Sequence, residues 1–119
     1  MTATRRTEGG AATAELAVAL PTLVLVLAVA LAAVDLGVAQ VRCVDAARLG
    51  ARLLARGEPA ASTLVEVRAA APEGARVTTA FGQGRVTVVV AGDLPGPLHG
   101  LGVVPRPSAT AVARLEAPG

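Results

Sequence analysis

The chain has 119 residues and a formal net charge of +2, and 53% of its residues are hydrophobic. This length suits one small domain. Phe81 is the one aromatic residue, which argues against a ligand pocket lined by rings and against a base-stacking surface, and the small net charge gives no reason to expect a nucleic-acid partner.

A polar leader, residues 1–10, precedes the most apolar part of the chain. After a few good helix formers, Leu16 to Val34 forms a run of nineteen residues without a charge. As a helix, this run spans roughly 28 Å, close to the roughly 30 Å hydrocarbon thickness of a bilayer. The run therefore predicts a transmembrane segment over 16–34, in which Pro21 is a position for a kink.

Two other interpretations of the apolar run stay open. Arg5 and Arg6 precede it and small residues follow at alternate positions near Ala32, so a secretory signal cleaved there would release a small secreted binding domain. In the second interpretation, the run is a helix buried in the core of a soluble protein. The chain has few large side chains to cover such a helix. If nothing is cleaved, the chain is a generic signal-anchored membrane protein.

Glu15 places a carboxylate at the edge of the apolar run, where it needs a partner. Cleavage between Gly10 and Ala11 would create an α-amino group four residues before Glu15. On a helix, groups four residues apart share a face, so the pair can form within a chain or across to a neighbour. Gly10 and Ala11 are therefore the predicted processing site, and Glu15 is the predicted subunit-assembly residue.

After Asp35 the pattern becomes amphipathic without a helix breaker. Charged residues occupy about a third of the helical wheel and small residues lie opposite. Gly57 and Pro59 are stop signals, so one helix is predicted over 11–56, about 65 Å long. The charged residues are Arg42, Asp45, Arg48, Arg52 and Arg56, and those on the opposite side are Cys43, Ala46, Ala47, Gly50 and Leu54.

Small residues four apart along this helix indicate a face that another helix can approach closely. A plain excess of Ala in the chain explains the same pattern. The predicted helix-packing residues are Ala33, Gly37, Cys43, Ala47 and Gly50. Because Cys43 is the one cysteine, no disulfide forms within the chain. A small residue on a helix face is the first interpretation of Cys43, with intermolecular pairing, metal binding and acylation left open.

The rest of the chain predicts a small α+β domain over 60–119. Ser62 is the predicted N-cap of a short helix over 63–71, which Pro72 ends. Two runs rich in Val and Thr, 76–80 and 85–91, predict a hairpin, and 108–116 adds a third strand after a Pro/Gly loop. The predicted fold class is α+β, with the long helix packed on a three-stranded sheet.

Catalytic chemistry is not expected. Glu66, Glu73, Asp93 and His99 are scattered, without the spacing of a nucleophile, a metal site or a phosphate loop. No enzymatic activity, cofactor, metal or small-molecule substrate is therefore predicted.

Several of these stretches together resemble the TadE-like minor pilins, or pseudopilins, of tight-adherence pilus systems, related to type IV pili and here of the actinobacterial kind. The first stretch is AELAVAL, residues 14–20, with Pro21 after it. The second is QVRCVDAARLGAR, residues 40–52, followed by Arg56, Gly57 and Glu58. The third is the late hairpin with its Pro/Gly loop. The basic leader, the glycine and the glutamate before an apolar helix resemble the class III signal of that family. Leu16 stands where the major pilin has Tyr, and the C-terminal part is too long for that pilin, which favours a minor one.

The resemblance implies a non-catalytic, membrane-anchored protein that takes part in assembling a pilus or a related secretion apparatus. The implied partners are other pilin subunits, the assembly machinery, a prepilin peptidase at Gly10 and Ala11, and membrane lipid, with adhesion or secretion as the wider role. It implies a single-pass protein of the cell membrane, with a cytoplasmic N-terminus and an extracytoplasmic domain that can enter a surface filament. Charge alone favours the opposite orientation, because more arginines follow the apolar run than precede it.

Overall fold

The computed structural model describes residues 2–116, and the side chains from residue 9 onward apart from that of residue 97. Two helices, three strands and one short 3-10 turn follow each other along the chain, which confirms the predicted α+β class. They are α1 (Thr2–Ala55), α2 (Ala60–Ala70), β1 (Arg76–Gly82), β2 (Arg85–Ala91), the 3-10 turn (Gly96–Leu98) and β3 (Ser108–Arg114).

The long helix α1 has 54 residues and runs through the whole apolar segment into the folded domain. At about 1.5 Å per residue it is about 81 Å long, and the molecule measures 93 × 22 × 17 Å along its principal axes. Pro21 lies inside it. The helix ends at Ala55, and Gly57 follows with a φ of +86°, a value that glycine adopts without strain.

The start of α1 differs from the predicted helix over 11–56, whereas the leader over residues 1–10 stays a prediction. The helix already includes Thr2, and Gly9 and Gly10 continue it. Glycine weakens a helix by about 1 kcal/mol relative to alanine but does not remove a backbone donor as proline does. A composition boundary at Gly10 is therefore not a helix boundary.

Helix α2 also begins earlier than predicted. Ala60 is its first residue and Pro59 its N-cap, without a side-chain cap. The Ser62 hydroxyl instead donates to the Pro59 carbonyl at 3.1 Å, and the Thr63 N–H donates to the same oxygen at 3.1 Å. Ser62 is therefore inside the first turn, and its prediction as the N-cap was wrong. The helix ends at Ala70, before Pro72.

The three strands form one antiparallel sheet in the order β1-β2-β3. Strand β1 is two residues longer than predicted, because Gly82 pairs with Arg85 and leaves Gln83 and Gly84 as a two-residue turn. Both turn residues have positive φ, +52° and +70°, the backbone of the hairpin turn that matches strand twist.

The core lies between the C-terminal half of α1, α2 and one face of the sheet. Val86, Val88 and Val90 of β2 are fully buried, and Val67 of α2 is 1% exposed. Alternate alanines of β3 pack partly buried beside them. The helix contributes small side chains, which lets the sheet lie close to it: Cys43, Ala46, Ala47, Ala51, Leu54 and Ala55.

Candidate functional site

The N-terminal half of α1 lies outside this core. Across Leu16 to Val34, Ala32 is the one buried residue and Ala28 is half-buried. Most large side chains along it keep more than half of their surface exposed, such as Val18 at 68% and Leu23 at 64%. By length and composition this helix can cross a membrane. A continuous apolar surface of this size marks an interaction site with lipid or protein.

Glu15 lies in a shallow concave patch on this apolar surface. Two alanines among larger neighbours make the hollow, and the lining residues are Ala14, Glu15, Val18, Ala19, Thr22, Leu23 and Val26. Among the side chains of residues 9–116, no cation lies within 4.0 Å of the Glu15 carboxylate. The patch therefore combines an apolar surface with one unneutralised carboxylate, and a carboxylate in such surroundings is costly until it gains a cationic partner.

The other polar side chains near this patch are already satisfied within the helix. The Thr13 hydroxyl donates to the Gly9 carbonyl at 2.8 Å, and the Thr22 hydroxyl donates to the Val18 carbonyl at 2.7 Å. Such bonds to the preceding turn let threonine lie on an apolar helix surface. Glu15 is thus the polar group of the patch that is left to find a partner.

Gly10 and Ala11, the predicted processing site, are exposed and lie one turn before Glu15. A Cβ added at Gly9 or Gly10 would meet no atom within 4 Å. The site is therefore open on the helix surface. Its cleavage stays a prediction.

The predicted helix-packing face is divided between two environments. Cys43 and Ala47 are fully buried and Gly50 is buried with them, against the chain's own sheet and α2. At Gly50 the helix that approaches this face is α2 of the same chain, through Val67, and all three residues lie in or beside the chain's own core. Ala33 and Gly37 are exposed, and their contact with a neighbouring helix stays a prediction.

The surroundings of Cys43 disfavour the intermolecular pairing, metal binding and acylation that the sequence left open. It is a free cysteine with 0% exposure, and its thiol donates to the Pro107 carbonyl with an Sγ–O distance of 3.8 Å. Burial raises the pKa of the Cys43 thiol, and a hydrogen bond with the backbone at Gly92 opposes that shift in part. Both burial and the raised pKa disfavour the reactive thiolate.

Charged residues after the apolar segment lie on the exposed side of α1, as their positions on the helical wheel predicted. Arg42, Asp45, Arg48, Arg52 and Arg56 are all exposed. The ion pair found among the described residues is elsewhere, between Arg106 and Asp93 at 3.7 Å. His99 is an exposed loop residue, and the described side chains of residues 9–116 include no group of three or more potential metal ligands.

These features define a protein with one candidate membrane helix that continues into a small α+β domain. The chain is similar to a protein of Mycobacterium tuberculosis (strain ATCC 25618 / H37Rv) that bears the name apoptosis inhibitor Rv3655c, with 52% identity over 63 residues. That match covers 53% of this chain and 50% of the mycobacterial protein, so it spans about half the length of the relative. No family model matches the chain, and no solved structure matches it.

Proposed function

We propose that this protein is a membrane-anchored, non-catalytic minor pilin or pseudopilin that takes part in assembling a tight-adherence type pilus or a related secretion apparatus. The observation that carries the proposal is Glu15, a lone carboxylate in an apolar patch at the start of an exposed apolar segment. In an assembly of such helices, apolar surfaces pack together and each Glu15 accepts the α-amino group of a chain processed between Gly10 and Ala11.

The continuity of α1 supports this proposal. One uninterrupted helix joins the apolar segment to the buried face of the domain. Packing of the N-terminal halves would therefore fix the positions of the domains around them. The proposed location is the cell membrane, with the N-terminus cytoplasmic and the domain extracytoplasmic.

Glu15→Gln tests the role of the carboxylate, with Asp35→Asn as the matched control at the other end of the apolar run. We expect Glu15→Gln to insert in the membrane normally but to co-purify with other pilin subunits roughly tenfold less, since breaking one partner of a desolvated pair costs more than about 1.4 kcal/mol. Asp35→Asn should assemble normally. Normal assembly of Glu15→Gln would remove the central claim.

The N-terminus of the protein recovered from its native host tests processing. Intact mass and N-terminal sequencing of the membrane fraction should give a start at Ala11. An intact Met1 would instead indicate a plain signal-anchored protein.

The name of the mycobacterial relative suggests a second candidate function, inhibition of apoptosis, and 52% identity over 63 residues favours it. A domain released near Ala32 is the form in which a secreted binding module would act. A start near Ala33 in a soluble fraction, together with reduced caspase activation in treated cells, would support this candidate against the first.

A further inference from the structure

Strand β3 lies at one edge of the sheet, and α1 runs beside it in the same direction. At one end the Gln40 side-chain amide donates to the Ser108 carbonyl at 2.8 Å, and the Ser108 N–H donates to the Gln40 Oε1 at 3.0 Å. At the other end the Glu116 N–H donates to the Ala55 carbonyl at 2.9 Å. These contacts hold the helix and the strand together at both ends of a shallow groove.

The backbone of β3 between these two contacts is free on the groove side. In an antiparallel pair, alternate residues turn both backbone groups to the neighbouring strand or away from it. Ser108 and Glu116 bond to α1, whereas the Leu115 N–H donates to the Gly84 carbonyl at 2.8 Å on the β2 side. By this alternation Thr110, Val112 and Arg114 turn their N–H and C=O groups into the groove.

The groove has a volume of about 390 Å³ and is lined by Asp45, Arg48, Ala51, Arg52, Ala111, Val112 and Ala113. Arg48 and Arg52 are exposed, and among residues 9–116 no carboxylate lies within 4.0 Å of either guanidinium. Two unpaired arginines thus flank a row of free backbone groups.

We infer that this α1–β3 groove binds an extended segment of a partner protein that carries acidic side chains at alternate positions. An added strand would pair with the free backbone groups of β3, a common mode of peptide recognition. Alternate residues of a strand are about 6.6 Å apart, and residues four apart on a helix are about 6 Å apart along its axis. Two successive acidic side chains therefore match the spacing of Arg48 and Arg52.

The strands of a second copy of this chain do not match the charge of the groove. Its strands are RVTTAFG, RVTVVVA and SATAVAR, which carry arginine and no acidic residue. Such a strand would bring like charges to Arg48 and Arg52. With Arg48 and Arg52 against the one carboxylate of Asp45, the lining of the groove is net positive and favours an acidic partner. The groove lies outside the apolar segment, so the inference does not depend on the pilin proposal.

The test uses the full chain in micelles of an uncharged detergent. The probe is an octapeptide in which Glu alternates with Thr, and the comparison peptide has Lys in place of each Glu. Binding is followed by fluorescence anisotropy of the labelled peptide and by the backbone amide shifts of the protein. We expect saturable binding of the Glu peptide, shifts concentrated at residues 108–116, and at least about tenfold weaker binding of the Lys peptide.

Two pairs of variants separate the backbone contribution from the charge. Val112→Pro removes an N–H that faces the groove and not the sheet, so it should weaken binding about tenfold, whereas Val112→Thr keeps the N–H and should weaken binding less than Val112→Pro does. Arg48→Gln with Arg52→Gln should weaken binding about tenfold. Arg68→Gln with Arg76→Gln removes equal charge outside the groove and should not.

No saturable binding of the Glu peptide would overturn the inference. Equal binding of the Lys peptide, or an undiminished affinity in Val112→Pro with shifts outside residues 108–116, would overturn it as well. The circular-dichroism spectrum and melting temperature of each variant establish that the fold is retained.

Discussion

At Gly50, α1 lies in close contact with both α2 and β2. A Cβ at this position would lie 2.9 Å from the Val67 Cγ2 and 3.2 Å from the Val88 Cγ1. Both neighbours are β-branched and buried, so neither can move aside by a simple change of rotamer. The absence of a side chain at Gly50 is therefore a condition for the packing of the core.

Gly50→Ala should lower the free energy of unfolding by about 1–3 kcal/mol, because it overpacks a closed contact. Gly37→Ala is the matched control in the same helix, since a Cβ there meets no atom within 4 Å. The control should be neutral or more stable by up to about 1 kcal/mol. Thermal melts in detergent followed by circular dichroism measure both, and equal melting temperatures would contradict the close contact.

The stability of the folded protein should depend on pH through the buried thiol of Cys43. Because burial raises the pKa of its thiol, the folded protein holds this proton more tightly than the unfolded chain does. This contribution to stability is fully present below the pKa of the unfolded thiol and is lost as the pH rises above it. Iodoacetamide at pH 8 should therefore alkylate Cys43 slowly in the folded protein and rapidly in urea. Equal rates in the two states would show that the thiol is accessible.

At the scale of the elements, local sequence patterns predicted the presence of the long helix and of the hairpin. The arrangement of arginines opposite small residues after Asp35 predicted which side of α1 is buried, because one face of a helix repeats every 3.6 residues. The end of α1 followed from Gly57, and the end of α2 from Pro72. The N-terminus of α2 was missed because Pro59, which fits the entry to a helix, competes with Ser62 as the cap.

Contacts between distant parts of the chain could not be predicted from the sequence patterns. Burial of Cys43, Ala47 and Gly50 by the chain's own sheet depends on how β2 and α2 fold back on α1, and small residues suit either an internal or an external partner. The α1–β3 groove likewise depends on a contact between Gln40 and Ser108, which are 68 positions apart in the chain. Glu15 could be selected from the sequence because its charge stands at the edge of an apolar run, and its role in assembly stays a prediction.

At the scale of the whole molecule, the buried residues lie at one end of a rod 93 Å long. Ala32 is the one buried residue between residues 9 and 42, and α1 contacts the 3-10 turn that holds the buried Leu98. The apolar segment thus contributes little packing to the domain. Folding of the domain and membrane insertion of the segment should be separable.

A variant lacking residues 1–29 tests this separation. It keeps Ala32 and the whole buried face of α1, so it should remain monomeric without detergent on size-exclusion chromatography. Its melting temperature should lie within about 4 °C of that of the full chain in detergent, which corresponds to less than about 1 kcal/mol for a domain of this size. A second variant lacking residues 1–43, and therefore Gln40 and Cys43, should melt at least about 8 °C lower because it removes a core side chain and both bonds to Ser108. Similar melting of the two variants would show that residues 30–43 of α1 do not stabilise the domain, whereas loss of cooperative unfolding in the first would show that the apolar segment does.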